Sequence, residues 1–298
     1  MSTTLLSDVN NLTREQRTAF IEGAADEMLV DLLDGWVEID STDAAKVEDT
    51  SGNAATVWAV KDYTGDIVTN KMTQGYTEIA NHVTYAQATR WDEASWLTLD
   101  KKALNDYFKS FGTGGTQALV QLVTDLFNNG TTTARGDGKA LFVSDHPSNV
   151  GDQSNIISNT LGHEGMQLAQ QQAFDLQGPD GQAMMAMLDR IMVPTALGPT
   201  AKSVVSAGVL VPTAGSFAYA TPNPTAGAAA VTVNPLLTSA TRWFPMATNR
   251  GKVKVLVLRG MSPEIVKMPG GYDRVMKDQF IALVYTPSWR WTIGGNIS

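Results

Sequence analysis

The chain contains no cysteine. That removes disulfides, thiolate metal sites, iron–sulfur clusters and cysteine nucleophiles in one step. Histidine is scarce as well: the 298 residues hold three, His82, His146 and His163. Zinc sites draw on ligand pairs roughly three to five residues apart, and none of these histidines has such a neighbour. No Gly-x-Ser-x-Gly elbow occurs, which removes the best sequence signal for a serine hydrolase. Long apolar runs are missing too. The run Val253–Leu258 is broken by Lys254 and is far too short to span a bilayer. The opening residues MSTTLLSDVN lack the basic and apolar regions of a secretory signal, so the expectation is a protein made in the cytoplasm, with no membrane partner. Charge is sparse, at 17%, and its balance is acidic, with 22 basic against 30 acidic side chains. A net charge of −8 argues against a strongly basic nucleic-acid binder.

What is present is a globular composition. Hydrophobic residues make up 43% of a chain long enough for one large domain or two small ones. At this size folding buries roughly three quarters of the unfolded surface. The charge is unevenly placed. Residues 1–50 carry 12 acidic and 3 basic side chains, whereas residues 241–298 carry 9 basic and 3 acidic. Opposite charge at the two ends suits contact between them, within one chain or between copies; the alternative is a solvated acidic arm and an ordinary basic β-region. Between Ile191 and Thr241 the only charged residue is Lys202, although prolines stand at 194, 199, 212, 222, 224 and 235. A surface so neutral tends to associate, so this stretch is expected to be folded, looped structure that meets another subunit, or else a well-packed neutral β-domain.

Periodicity outlines the elements. Thr13 and Gln16 form a capping box ahead of Phe20, Ile21, Ala24, Met28, Leu29 and Leu32, which repeat at helical spacing until Gly35. From about Ser51 to Leu99 the pattern turns to β-branched and aromatic residues. Val57–Tyr63 and Thr77–Tyr85 read as strands, with a turn at residues 63–66. This part is polar on both faces and needs a neighbour to rest on. Leu104, Tyr107, Phe108 and Phe111 form one helical stripe and Leu119, Leu122, Val123, Leu126 and Phe127 another. Gly112, Gly114 and Gly115 between them imply either two helices or one weakened helix. Leu161–Leu176 reads as a helix, Met187–Val193 as a buried strand, Thr200–Ala207 as a short helix, Val253–Leu258 as a strand, and Phe280–Ile293 as a strand or a pair of strands. Helices and strands are partly segregated, which is an α+β arrangement.

Several features invite a chemical reading. Gly136-Asp137-Gly138-Lys139 has the look of a phosphate loop, but Ala140 stands where a Ser or Thr must reach Mg²⁺, so a turn is expected. Arg135-Gly136-Asp137 is a common tripeptide in a turn context and carries no functional weight. Asp92 and Glu93 lack the apolar surroundings that would split their pKa values for acid–base work. The tryptophans at 36, 58, 91, 96, 243, 289 and 291 are mostly without interleaved basic residues, which favours core or interface packing over stacking on single-stranded nucleic acid. Asp145-His146-Pro147 reads as a turn and Gly162-His163-Glu164 as a helix start. No catalytic, cofactor-binding or metal-binding residue is assigned, and no cofactor is expected.

A resemblance enters at Gly136. The stretch GDGKALFVSDHPSNVG resembles major head proteins of Mu-like phages and prophages, with Gly138, Leu141, Phe142, His146 and Asn149 at comparable positions. Residues 178–181 resemble that family's turn after a helix, and residues 190–197 its apolar strand followed by Pro-x-Ala-Leu. Residues 234–238 with Trp243 and Phe244 resemble its late strand. The resemblance covers roughly residues 100–298 in pieces, none of them catalytic. It implies the HK-97-like fold of tailed-phage major capsid proteins. On that pattern residues 1–50 are an N-terminal arm and 51–99 an extended E-loop. Residues 100–154 then form a peripheral domain with a spine helix, 155–252 an axial domain, and 253–298 the return strands of the peripheral domain. The function implied is a head that encloses double-stranded DNA, built by self-assembly as hexamers and pentamers. Implied partners are other copies of the chain, a scaffolding protein, a portal, decoration proteins and non-specific DNA. The rivals are an encapsulin-like compartment shell, and a metal-independent α+β hydrolase that would depend on His146 or His163.

Overall fold

In a computed structural model of the chain, the described residues are 14–25, 27–43, 46–50, 77–98, 100–148, 150–178, 181–206, 208–210, 221–223, 225–268, 273–286 and 288–297. Their helices are α1 (Arg14–Ala24), α2 (Glu27–Leu33), α3 (Glu93–Thr98), α4 (Lys101–Asn128), α5 (His163–Asp175) and α6 (Gly198–Ser206). The first strands are β1 (Val37–Ser41), β2 (Lys46–Thr50), β3 (Thr77–Asn81), β4 (Val83–Trp91) and β5 (Ile156–Ile157). Next come β6 (Arg190–Val193), β7 (Val209–Leu210), β8 (Thr221–Pro222), β9 (Ala230–Val233) and β10 (Phe244–Met246). The last are β11 (Val253–Arg259), β12 (Glu264–Lys267), β13 (Arg274–Tyr285) and β14 (Gly294–Gly295). The expected Thr13 cap, the strand Val57–Tyr63 and its turn lie outside the described residues.

The chain divides into two units, each assembled from separated segments. The first takes residues 1–47, 80–124 and 253–285. Its frame is a five-stranded sheet in which β11 lies between β1, parallel, and β13, antiparallel. Strand β13 is twelve residues long, so β11 covers its end and β12 its beginning, while β4 runs antiparallel along it from Trp91 to Val83. Period-two burial explains β11: Val253, Val255 and Val257 are buried and the residues between them are not. A register shift at Leu258 then ends the regular pairing.

Helix α4 is one continuous helix of 28 residues despite its glycines. Each interior glycine weakens a helix by about 1 kcal/mol relative to alanine, so packing must offset the loss. It does so at Gly112, where a Cβ would sit 2.8 Å from the Ala24 amide and closer still to the Phe20 carbonyl. Gly23 faces it from α1 with the same constraint against the Lys109 backbone. The helices therefore cross backbone on backbone. Thr113 and Thr116 fasten the crossing by donating to the Gly23 and Ala24 carbonyls at 3.1 and 2.8 Å. Phe20, Ala24 and Phe108 are fully buried there. The single N-terminal helix expected from spacing is interrupted after Ala24, and Gly35 at φ +71° turns the chain into β1.

The second unit takes residues 48–79, 125–252 and 286–298. In its three-stranded sheet β6 is central, with β10 antiparallel on one side and β9 parallel on the other. Phe127, Phe142 and Phe244 stack with centroids 5.1–6.4 Å apart, an aromatic core beside that sheet. Trp243 is fully buried and its indole N–H donates to the Asn159 carbonyl at 3.2 Å. The expected buried strand from Met187 begins only at Arg190, and Met187 is 60% exposed. Its neighbours are held instead by the Gln170 side chain, which bonds the Ala186 carbonyl and the Leu188 amide. The expected strand Phe280–Ile293 likewise stops at Tyr285. Beyond it Trp289–Trp291 form a 3-10 turn, and Gly294–Gly295 pair with β5.

Candidate functional site

Residues 134–140 form a tight turn: the Arg135 amide donates to the Lys139 carbonyl at 2.7 Å, and Gly138 takes φ +78°. This conformation aims the Asp137 side chain inward instead of cradling a phosphate. One Asp137 oxygen accepts the Lys139 amide at 3.0 Å and the other lies 2.6 Å from His146 Nδ1. His146 is fully buried, its ring parallel to that of Trp289 at 3.9 Å and its Nε2 facing the Leu141 carbonyl at 3.3 Å. Burial pushes the Asp137 carboxyl up. The His146 and Lys139 hydrogen bonds outweigh it and hold the group below the usual carboxylate range. The arrangement looks like two thirds of a catalytic triad. Its chemistry is closed, because both ring nitrogens face acceptors and the ring has no accessible surface for a substrate. It fastens a turn to the C-terminal segment.

Nothing in the sequence around His146 pointed to this pair. The partners lie nine residues away in a turn and 143 residues away at Trp289. Asn155 was also missed. It is fully buried, accepts the Val143 amide at 3.1 Å and donates to the Leu141 carbonyl at 2.7 Å and to the Trp289 and Thr292 carbonyls at 3.3 Å.

The other candidates do not converge. His163, the first residue of α5, has Nδ1 3.0 Å from Thr225 Oγ1. His82 separates β3 from β4. Asp92 caps α3 by accepting the Ser95 amide at 2.6 Å, which lowers its carboxyl pKa. Arg135 and the Gly136 amide are both taken by Glu78, so the Arg-Gly-Asp tripeptide is engaged internally. Trp36, Trp91, Trp243 and Trp289 are buried and serve packing. Among the described residues no group of three or more acidic or histidine side chains is placed to hold a metal ion, and no helix is long and apolar enough to cross a membrane.

The sheet unit carries two adjoining clefts. A cleft of about 240 Å³ runs between α4 and the β4–β13 pair, floored by Phe111, Ala118, Met261 and Phe280. A polar cleft of about 400 Å³ adjoins it, edged by Arg259, Glu264 and Lys277. Asp278 lines both. It accepts the Ser262 amide at 2.8 Å, and burial raises its carboxyl pKa to about 6 against the opposing pull of that bond.

No curated protein sequence matches the chain. A structure from Mycobacterium phage Patience has 11% identity, covers 98% of this chain and 91% of that one, and has a TM-score of 0.61. The capsid of bacteriophage JBD30 decorated with minor capsid protein trimers has 11% identity over 68% of this chain and 90% of that one, with a TM-score of 0.55. A second JBD30 capsid chain is spanned to only 63% of its own length. A virus-like particle from Pyrococcus furiosus has 8% identity over 94% of this chain and 97% of that one, with a TM-score of 0.54. The three likenesses with TM-scores of 0.54–0.61 establish the HK-97-like fold, and they do not single out the Mu-like branch. The family model described as phage capsid protein matches residues 75–289, running through both units from β3 to Trp289. The chain therefore belongs to the phage capsid protein family.

Proposed function

We propose that copies of this phage capsid protein assemble as hexamers and pentamers into the icosahedral head of a tailed phage, with double-stranded DNA inside. The observation that carries the reading is the family match over residues 75–289. The closed Asp137–His146 pair supports a structural rather than an enzymatic role, since the one triad-like constellation among the described residues is sealed. In this reading α4 is the spine helix, residues 100–154 and 253–298 are the peripheral domain, and 155–252 are the axial domain. Residues 1–50 and 51–99 are the arm and E-loop that overlap neighbours, which enlarges the interface per subunit beyond that of a compact dimer. A scaffolding protein, a portal and decoration proteins complete the particle, which is built in the host cytoplasm and leaves as the virion.

Sedimentation velocity of the purified chain, with electron microscopy of fast fractions, tests this. Rings of five and six or closed shells are expected. A monomer or dimer that persists when scaffold and crowding agent are added would overturn it. Shells filled with an enzyme in place of DNA would favour the encapsulin-like alternative.

A further inference from the structure

The cleft that Asp278 lines is chemically incomplete. Asp278 accepts backbone hydrogen bonds from Ser262 and Gln279, yet no side chain of the described residues reaches it as donor or ion-pair partner. The charged groups facing it are few. Glu264 of β12 is itself paired with Lys277 at 2.9 Å, and Arg259, at the end of β11, is exposed, acts on Asp278 only through its charge and forms no salt bridge among the described residues. From β4 the cleft receives Tyr85, Ala86, Gln87 and Ala88, and from α4 only uncharged residues. A partly buried carboxylate thus lines an apolar trough with no cation of the described residues paired directly to it. Such a shape suits a lysine or arginine, whose methylene stem covers apolar surface while its head finds the carboxylate.

We propose that the trough is an assembly contact that takes a basic side chain from a second copy of this chain, supplied by the turn that carries Arg250 and Lys252. Charge complementarity suits that occupant: both residues are exposed, neither has a side-chain partner among the described residues, and they lie in the basic third of the sequence. The inference rests on the shell-forming role proposed above.

It carries an unusual pH signature. Because the Asp278 carboxyl pKa is raised to about 6, the folded subunit holds a proton there that the unfolded chain, at an ordinary 3.8, does not. Subunit stability therefore increases as pH falls through about 6 towards 3.8. Pairing with an incoming cation needs the ionised form, so association weakens over the same fall. Folding and assembly respond to acid with opposite signs.

The experiment measures association by sedimentation velocity, and stability by urea titration, between pH 5 and 7.5 at constant ionic strength. It uses the full chain, Asp278→Asn, and the double variant Arg250→Gln/Lys252→Gln. For the unaltered chain, association strengthens by at most about tenfold per contact across the whole window, the limit set by one ionisation centred near pH 6. Asp278→Asn weakens association and flattens both profiles. The double variant flattens only the association profile, and combining it with Asp278→Asn brings no further loss. Association that keeps its pH dependence in Asp278→Asn, or is unaffected by the double variant, overturns the proposal while leaving the shell reading intact. If the unaltered chain fails to assemble at any pH with scaffold present, it is the shell reading that fails.

Discussion

Substituting Gly112 by alanine tests the backbone crossing of α1 on α4. In a solvated helix this change stabilises by up to about 1 kcal/mol. Here the added methyl would lie 2.8 Å from the Ala24 amide nitrogen and closer still to the Phe20 carbonyl, both rigid backbone atoms. Relief requires the helices to part by on the order of 1 Å, which forfeits about a quarter to a half of the dispersion energy across the gap. It also breaks the Thr116 bond to the Ala24 carbonyl, now 2.8 Å, and the Thr113 bond to Gly23, each contributing about 1 kcal/mol. The strain and lost contacts outweigh the propensity gain, leaving a net destabilisation of about 1–3 kcal/mol. Gly114, two residues along the same helix, is the control. A Cβ there meets only the Gln87 side-chain oxygen at 3.3 Å, which can swing aside, so Gly114→Ala stabilises by up to about 1 kcal/mol. Urea unfolding of the unassembled subunit, followed by tryptophan fluorescence, reads both. Gly112→Ala at least as stable as Gly114→Ala would refute the crossing.

Three further outcomes are expected. His146→Ala leaves the Asp137 carboxylate buried without its partner and opens a gap under Trp289, lowering stability by about 3 kcal/mol in thermal unfolding. Because the folded Asp137 pKa is depressed, its contribution is present above an ordinary 3.8 and disappears as pH falls through its lower folded value. Amide exchange around residues 135–146 should accelerate in that acid range, and Asp137→Asn should remove the pH step. Asn155→Ala abandons four backbone groups at once and costs about 2–3 kcal/mol, with lost exchange protection at Val143 as the specific readout.

Local periodicity carried much of the fold. The stripe through Phe108, Phe111, Leu119, Val123 and Phe127 is the buried face of α4, and the alternation in Val253–Val257 is a half-buried strand. Tyr107 breaks the stripe: it stands at helical spacing but is half exposed, edge-on to Trp91 at 5.8 Å. The neutral tract from Ile191 is partly explained by burial, since Ile191, Met192, Val193, Val204 and Val205 are core residues. What the sequence hid is contact between distant segments. Asp278 stands in the polar run Lys277–Gln279 of β13 like any surface carboxylate, and Phe111, Met261 and Gln87, from three other places in the chain, line the cleft that makes its environment unusual. The glycines of α4 were ambiguous for the same reason. Whether they break a helix or admit a neighbour depends on Phe20 and Ala24, some ninety residues earlier.

The hydrogen bonds that Asn155 sends to Trp289 and Thr292, and the pairing of β14 with β5, have a consequence for the order of events during synthesis. The second unit's loop 141–155 is closed by residues more than 130 positions downstream. Loops of that span form late, because the chain between must be made and then brought round. A nascent subunit whose residues 289–295 are still within the ribosome has its Asp137–His146 turn unroofed. It cannot yet present a finished surface to another copy. The arrival of that segment then acts as a clock for the particle: a chain becomes eligible to join another copy only after residues 289–295 have come round to close the turn.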